Sequence, residues 1–205
     1  MIRNIVFDMG NVLVGYDPMR VCEHYIADEE DRMQVYTADF VSPEWVMLDM
    51  GVIEEEQALE RICARLPERL HEAARLCMRD WDKYNMRTYT EMEPVVRGLK
   101  ARGFDIYLCS NASNRLPGCY RELIPAVDCF SGILFSAPEK VMKPQRQIYE
   151  CLFARYSLRP EECFFIDDVQ INIDGARACG MDGYCYADAD RERLKAVLDA
   201  LPSPR

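Results

Sequence analysis

The chain has 205 residues, of which 49% are hydrophobic and 10% aromatic, so it can bury one large core, or one core plus an inserted unit. Its formal net charge of −10 argues against binding to nucleic acids or anionic membranes, because both partners require a basic surface. No apolar run reaches the ~18 residues of a membrane span, and an acid interrupts the first apolar stretch too early for a signal peptide, which predicts a cytoplasmic protein.

The first predicted element is a buried strand near the N-terminus, at Ile2 to Phe7, which ends at an acid, Asp8. Gly10 and Asn11 follow, and both residue types accept positive φ, so we expect a sharp turn there. A carboxylate at the C-terminal end of a parallel strand faces the crevice in which open α/β sheets bind ligands. Asp8 is therefore a candidate catalytic residue, and an aspartate that merely caps a turn is the alternative.

The stretch from Pro18 to Tyr84 has a helical pattern throughout, with apolar residues three and four positions apart, as at Leu59, Ile62 and Cys63. No run with the alternation of a strand interrupts it. We therefore expect a block of helices between the first strand and the remainder of the chain. Specificity for a substrate would come from residues of this block that close over the crevice, such as Trp45, Trp81 and Tyr84. The alternative is that they belong to the core, which is the more common place for aromatic residues on helices.

After Glu93, short apolar runs alternate with amphipathic segments. Strands are predicted near residues 104–109, 132–135, 163–166 and 183–186, and helices near residues 94–101, 117–123, 145–156, 171–179 and 191–201. This alternation is typical of right-handed βαβ units. We therefore predict an α/β fold with a doubly wound, mainly parallel sheet formed by residues 1–16 and 87–205, with a helical cap of residues 17–86 inserted after the first strand.

The predicted strands end in residues that carry chemistry. The string YLCSNAS places Ser110 and Asn111 at the end of one strand, and FFIDDVQ places Asp167 and Asp168 at the end of another. Lys143 stands immediately before a proline, which suits the first turn of the next helix. Because parallel strands end at the same edge of a sheet, we expect these side chains to collect there with Asp8.

This edge would carry a hydroxyl, a lysine and three carboxylates. Such a set suits a site that holds a dianionic phosphoryl group together with Mg²⁺, because Mg²⁺ takes one or two carboxylates plus phosphate and water. Each residue alone has a simpler interpretation: Ser110 as a cap, Lys143 as a surface charge, and the paired aspartates as a turn. Their occurrence together, each just past a strand, favours the phosphate site.

The strings FDMGNVL, LCSN and FIDD and the Lys143-Pro144 pair occur in an order that resembles the haloacid dehalogenase-like hydrolase superfamily, in the subgroup with a helical cap after the first strand. The resemblance covers essentially the whole chain. It implies that Asp8 is the nucleophile that accepts the phosphoryl group. It further implies that Ser110 and the amide of Asn111 hold the phosphoryl oxygens, while Lys143 neutralises charge on the nucleophile and the phosphate.

The same resemblance implies a Mg²⁺ cofactor. Asp168 would bind the ion directly, beside Asp8 and the backbone carbonyl of Gly10, and Asp167 would orient water bound to the metal. The implied partner is a small phosphorylated metabolite, and the sequence carries no signal for an oligomeric state.

One position departs from the family pattern. Its phosphatases usually carry a second aspartate two residues after the nucleophile, which protonates the leaving oxygen and later activates water, whereas this chain has Gly10. General acid–base catalysis contributes ~10²–10⁴-fold to a rate. The string FD-x-GN-V nevertheless resembles active sugar-phosphate phosphatases, so the metal, a water molecule or another carboxylate is expected to substitute. Asp17 is the nearest acid, and a turn residue before Pro18 is its simpler interpretation.

We therefore predict a Mg²⁺-dependent phosphatase of small phosphorylated metabolites, sugar phosphates first, that works through an aspartyl-phosphate on Asp8. A non-catalytic phosphate- or partner-binding module is the alternative that Gly10 leaves open. A haloacid dehalogenase is a weaker alternative. Those enzymes share the missing second aspartate, but they also lack the acid pair that Asp167 and Asp168 form here.

Overall fold

A five-stranded parallel sheet forms the centre of the fold in the computed structural model, which describes residues 1–204. Its strand order is β5-β4-β1-β6-β7, and a separate antiparallel ribbon pairs β2 with β3. Every neighbouring pair in the large sheet is parallel, which confirms the predicted sheet. Numbered in chain order, the strands are β1 (Asn4–Phe7), β2 (Val14–Tyr16), β3 (Met86–Thr88), β4 (Asp105–Ser110), β5 (Phe130–Phe135), β6 (Cys163–Asp167) and β7 (Asp182–Cys185).

The central strand β1 shows why the sheet has a core on both faces. Its side chains alternate, with Ile5 and Phe7 in one hydrophobic cluster and Val6 in another. All of them are fully buried, as expected for a parallel strand that is covered by helices on both sides. The helices that follow the cap are α6 (Glu93–Ala101), α7 (Leu116–Leu123), α8 (Ser136–Glu139), α9 (Arg146–Tyr156), α10 (Gln170–Ala178) and α11 (Arg191–Asp199).

The predicted helical block is confirmed as a set of helices that lies between β2 and β3. They are α1 (Met19–Tyr25), α2 (Glu29–Phe40), α3 (Pro43–Asp49), α4 (Glu55–Cys63) and α5 (His71–Tyr84). Side chains at their starts satisfy free backbone amides: Asp28 accepts from the Asp31 amide, and Ser42 accepts from the Trp45 amide. The β2–β3 ribbon brings the two ends of this helical layer side by side, so it joins the layer to the parallel sheet.

The sequence analysis missed the ribbon and the short helix α8. Both ribbon strands have three residues, which is too short to show an alternating pattern. Strand β5 begins at Phe130, two residues before the predicted start, and α11 ends at Asp199, two residues before the predicted end. Within residues 1–204, no helix combines the length and apolarity that a membrane crossing needs.

Candidate active site

Three neighbouring strands end together at the candidate site. In the sheet, Phe7 of β1 lies opposite Leu108 of β4 and Ile166 of β6. The residues that follow these three in their strands are therefore close together, and they include Asp8, Ser110 and Asp167. All three are buried. The topology thus brings Asp8 together with two residues that follow it by more than 100 positions in the chain.

Lys143 lies between two of these acids. Its Nζ is 2.8 Å from Asp8 Oδ1 and 2.6 Å from Asp167 Oδ2, and only 1% of the side chain is exposed. Such a burial is tolerable because both carboxylates compensate the ammonium charge. The ammonium group also lies over the ring of Phe165, 5.3 Å from its centroid.

The side chain of Asn111 holds the backbone of Lys143 in place. Asn111 Nδ2 donates to the Lys143 carbonyl at 3.0 Å, and the Lys143 amide donates to Asn111 Oδ1 at 2.8 Å. This pair of hydrogen bonds ties the end of β4 to the segment before α9. The family resemblance assigned only the amide of Asn111 to the site, so its side chain has an additional, positioning contact.

Burial and charge set the protonation of this cluster. Burial raises the pKa of Asp8 to about 6, against the lowering effect of Lys143, and Asp167 adds to the rise. Burial lowers the pKa of Lys143, but Asp8 and Asp167 together raise it above its ordinary value. Lys143 is therefore a permanent cation beside Asp8.

Asp167 is held by more partners than its predicted role requires. Its Oδ1 accepts from the Val169 amide at 2.8 Å and from Asn172 Nδ2 at 3.0 Å, while its Oδ2 accepts from Lys143. Asn172 is itself fixed by Tyr149, whose hydroxyl donates to the Asn172 carbonyl at 2.6 Å. Sequence reasoning missed Asn172 because a single asparagine in a helix carries no signal by itself.

The three acids form a candidate metal centre. Asp8, Asp167 and Asp168 each offer a carboxylate oxygen, and these atoms all lie within 4.8 Å of one another. Asp168 is half-buried; burial raises its pKa, and a hydrogen bond from Asn11 Nδ2, at 3.1 Å, lowers it. A set of oxygen donors of this kind fits Mg²⁺ better than the softer transition metals.

The turn after β1 uses the conformational freedom of one of its two permissive residues. Asn11 has φ of 53°, and its Oδ1 accepts from the Tyr16 amide at 3.2 Å. Gly10, whose residue type also accepts positive φ, does not adopt it in the described chain. A Cβ at Gly10 would also meet no atom within 4 Å. This position therefore has room for a side chain.

The nearest acid in sequence, Asp17, is a turn residue. Its Oδ1 accepts from the Met19 amide at 3.2 Å, and its other oxygen lies 3.5 Å from Arg20 Nε. The side chain is also well exposed, at 58%. These contacts fit the simpler interpretation of Asp17, a turn residue before Pro18.

Another acid of the cap, Asp49, ends α3 where the cap contacts the sheet. Burial, followed by the charge of Asp8, raises its pKa to about 7, while the amide of Ser113, in the loop after β4, lowers it. The Asp49 carbonyl accepts from Ser136 Oγ at 2.5 Å. Sequence reasoning missed Asp49 because its neighbours show only the pattern of a helix.

The aromatic residues that were expected to set specificity separate into two groups. Trp45 and Trp81 pack edge to face, with 5.2 Å between their centroids, and Tyr16 of the ribbon stacks on Trp45. Tyr84 lies apart from them and stacks on His24 at 4.1 Å. Trp45 and Trp81 therefore share one cluster with Tyr16, and Tyr84 belongs to a different contact.

The sequence matches the family model of haloacid dehalogenase-like hydrolases over residues 2–180. Among curated proteins, it is similar to the sesquiterpene phosphatase astK of Aspergillus oryzae, at 26% identity over 184 residues that cover 90% of this chain and 89% of the relative. It is also similar to the D-ribitol-5-phosphate phosphatase of Bacteroides thetaiotaomicron, at 24% identity over 216 residues that cover 98% of this chain and 100% of the relative.

Solved structures show the same fold. A mutant of a HAD family enzyme of Bacteroides thetaiotaomicron, in complex with magnesium and inorganic phosphate, matches with a TM-score of 0.72 at 20% identity and covers 95% of this chain and 99% of its own. The L-2-haloacid dehalogenase of Xanthobacter autotrophicus matches with a TM-score of 0.65 at 16% identity, covering 100% of this chain and 85% of its own. At these identities the likeness shows the fold alone.

Proposed function

The chain belongs to the haloacid dehalogenase-like hydrolase family and is a hydrolase of phosphate esters, and on that premise we propose that it is a Mg²⁺-dependent phosphatase of small phosphorylated metabolites. The observation that carries this proposal is the buried cluster in which Lys143 lies between Asp8 and Asp167, with Asp168 adjoining. A cation and three acids in one place are what a phosphoryl group with a divalent ion requires.

In the proposed reaction, a carboxylate oxygen of Asp8 attacks phosphorus, and the bond between phosphorus and the leaving oxygen breaks. Lys143 is close enough to Asp8 to neutralise charge that the phosphoryl oxygens bring to the nucleophile. Ser110 ends the neighbouring strand and Asn111 follows it, so the Ser110 hydroxyl and the Asn111 amide hold the other phosphoryl oxygens. Water then hydrolyses the aspartyl-phosphate and restores the carboxylate of Asp8.

The acid cluster fits Mg²⁺, with Asp8, Asp168 and the carbonyl of Gly10 as the proposed direct ligands. Both oxygens of Asp167 already accept hydrogen bonds from Lys143 and Asn172, so its proposed contribution is to orient water at the metal. When bound, the ion supplies positive charge to the phosphoryl group during transfer.

The substrate class is proposed from the relatives and the chemistry together. One relative is named a D-ribitol-5-phosphate phosphatase and covers nearly the whole chain, which supports sugar and polyol phosphates as the first compounds to assay. The Asp167 and Asp168 pair supports a phosphatase over a haloacid dehalogenase, because carbon–halogen hydrolysis gives a metal-binding acid pair no role. A binding module without turnover has less support, since the two curated relatives described above are named phosphatases.

The test is turnover of a panel of phosphorylated metabolites by the native protein, with Mg²⁺ and with EDTA, and by Asp8→Asn. We expect phosphate release that requires Mg²⁺ and is abolished in Asp8→Asn, because the amide is nearly isosteric but cannot accept a phosphoryl group. Asp17→Asn is the matched control, since it makes the same chemical change at an exposed turn. A folded Asp8→Asn that keeps more than a few per cent of the activity would contradict the mechanism.

A further inference from the structure

Gly10 leaves the reaction without an acid at the position where this family usually carries one. Its backbone does not occupy the left-handed region, and a Cβ there would meet open space. The absence of a side chain is therefore not explained by the fold. A leaving oxygen that is not protonated is a poor leaving group in an alkyl ester, so another group has to supply the proton.

Asp49 is brought over the site by a tight contact between the cap and the sheet domain. It is the last residue of α3, and its carbonyl accepts the hydroxyl of Ser136, which also accepts from the Ala112 amide at 2.8 Å. Two residues later, Gly51 has φ of +68°, and a Cβ there would lie 2.1 Å from the Ala137 carbonyl oxygen. Any larger residue at position 51 would push the cap away, so this contact fixes Asp49 relative to the core.

The Asp49 carboxyl group lies close enough to Asp8 and Lys143 to respond to their charges: besides burial, Asp8 raises its pKa, and the Ser113 amide and Lys143 lower it. Burial and then the charge of Asp49 raise the pKa of Tyr16, whose hydroxyl is buried without a hydrogen-bond partner among residues 1–204. In that part of the chain, Asp49 forms no hydrogen bond with Asp8, so its proton is not shared with the nucleophile.

A cavity of about 430 Å³ lies between the cap and the loop after β4. It is lined by Leu48, which precedes Asp49 in the chain, by Ser113, and by residues 53–56 of the cap. The cavity therefore adjoins the segment of the cap that carries Asp49.

We propose that Asp49 is the acid and base of the reaction and takes the role of the side chain that Gly10 lacks. This inference rests on the phosphatase function proposed above. As Asp8 attacks phosphorus, the bond to the leaving oxygen breaks, and that oxygen takes the proton of the Asp49 carboxyl group to become an alcohol. Asp49 then takes a proton from the water whose oxygen bonds to phosphorus. The bond between Asp8 and phosphorus breaks, which releases phosphate and leaves both residues as they began.

The protonation of Asp49 agrees with this role. Burial is the largest cause that raises its pKa to about 7, Asp8 adds to the rise, and the Ser113 amide and Lys143 oppose it. A group with a pKa near the working pH is present in both forms, so it is able to give a proton in the first step and take one in the second.

The first test needs no variant. The kcat/KM values of the native protein, measured on aryl and alkyl phosphates under conditions where chemistry limits the rate, should depend only weakly on the pKa of the leaving alcohol, because Asp49 supplies the proton. A steep negative slope in the native protein would overturn the proposal, since it would show an unprotonated leaving oxygen.

The second test compares substrates in Asp49→Asn. We expect a loss of about 10²–10⁴-fold on alkyl phosphates but little loss on 4-nitrophenyl phosphate, whose leaving group needs no proton, and thus a steeper slope. A loss of equal size on all substrates, or no loss, would assign Asp49 to binding or packing and would overturn the proposal. Asp17→Asn should behave as the native protein does.

The third test is rescue. Because position 10 has room for a side chain, Gly10→Asp added to Asp49→Asn should restore at least part of the alkyl phosphate activity and flatten the slope. A double variant as slow as Asp49→Asn would count against an exchange of acids between the two positions. Failure of the phosphatase proposal would look different from failure of the Asp49 proposal. In that case the native protein would release phosphate from no substrate, aryl phosphates included.

Discussion

Lys143 Nζ lies 2.8 Å from Asp8 Oδ1, and this ion pair is buried where the central strands of the sheet end. Asp167 completes it at 2.6 Å on the other side. The two carboxylates would repel each other if the ammonium group were absent, so Lys143 serves both the fold and the chemistry.

We expect Lys143→Met to lose phosphatase activity and about 3–5 kcal/mol of unfolding free energy, because the variant leaves two buried carboxylates without a cation. Urea denaturation measures the second effect. Lys100→Met is the matched control, since the Lys100 Nζ lies 2.9 Å from Asp105 Oδ1 in an exposed pair, which is worth at most about 1 kcal/mol. Equal losses in the two variants would contradict the role of the buried pair.

Asp168→Ala tests the proposed metal ligands. We expect weaker Mg²⁺ binding in isothermal titration calorimetry, together with loss of activity, because one of the proposed direct carboxylate ligands is removed. Asn11→Ala should weaken Mg²⁺ binding less, since it removes the hydrogen bond that orients Asp168 and the one from the Tyr16 amide, but no proposed ligand of the metal. Asp174→Ala, an exposed acid on α10, is the control. Unchanged Mg²⁺ affinity in Asp168→Ala would remove it from the site.

The buried Asp39 of α2 makes the unfolding free energy depend on pH. Its side chain is fully buried, neither oxygen has a hydrogen-bond partner among residues 1–204, and burial raises its pKa well above the ordinary value. The folded protein therefore keeps the proton at a pH where the unfolded chain has lost it. Stability is highest below the unfolded pKa and falls as the pH rises toward the folded pKa, by up to about 1.4 kcal/mol per pH unit.

Asp39→Asn should make this slope shallower, because the amide has a similar shape and does not titrate. The unfolding free energies of the variant and the native protein, measured in urea between pH 5 and pH 8, should diverge in favour of the variant as the pH rises. Asp17→Asn, at an exposed position, should keep the native slope. Parallel curves for Asp39→Asn and the native protein would show that Asp39 does not control the effect.

The contacts of Arg115 hold the cap against the sheet domain. Its Nη1 donates to Asp82 Oδ1 at 2.8 Å and its Nη2 donates to the Met78 carbonyl at 3.0 Å, both on α5, and it also pairs with Glu55 of α4. Arg115→Ala should weaken the contact between the cap and the loop after β4 by about 1.5–3 kcal/mol, because bonds to charged groups are lost. Faster amide hydrogen exchange at the end of α5 would report it.

Arg97→Ala is the control for this prediction, since Arg97 also pairs with two acids, Glu93 and Asp128, but both lie outside the cap. It should leave the exchange of α5 amides unchanged. Equal exchange of those amides in Arg115→Ala and the native protein would show that other contacts hold the cap.

Local pattern determined much of the fold. The apolar runs that end at Asp8, Ser110 and Asp167 predicted the strands β1, β4 and β6, because a buried parallel strand needs apolar residues on both faces and its end is marked by the first polar ones. The helical block between the first two strands of the sheet was also predicted, from its three- and four-residue spacing. The family followed from the order of these motifs, and the match over residues 2–180 confirms it. The exact domain limits and the roles of the site residues stay predictions.

Only the tertiary structure decided which further residues meet at the site. Asn172 reaches Asp167 because α10 follows β6 closely, and Asn11 reaches Asp168 across 157 positions of the chain. Asp49 is placed by the contact of α3 with the Ser136 segment. No spacing in the sequence reports these contacts, because each depends on how separate elements pack, and packing is a property of the whole chain rather than of a local pattern.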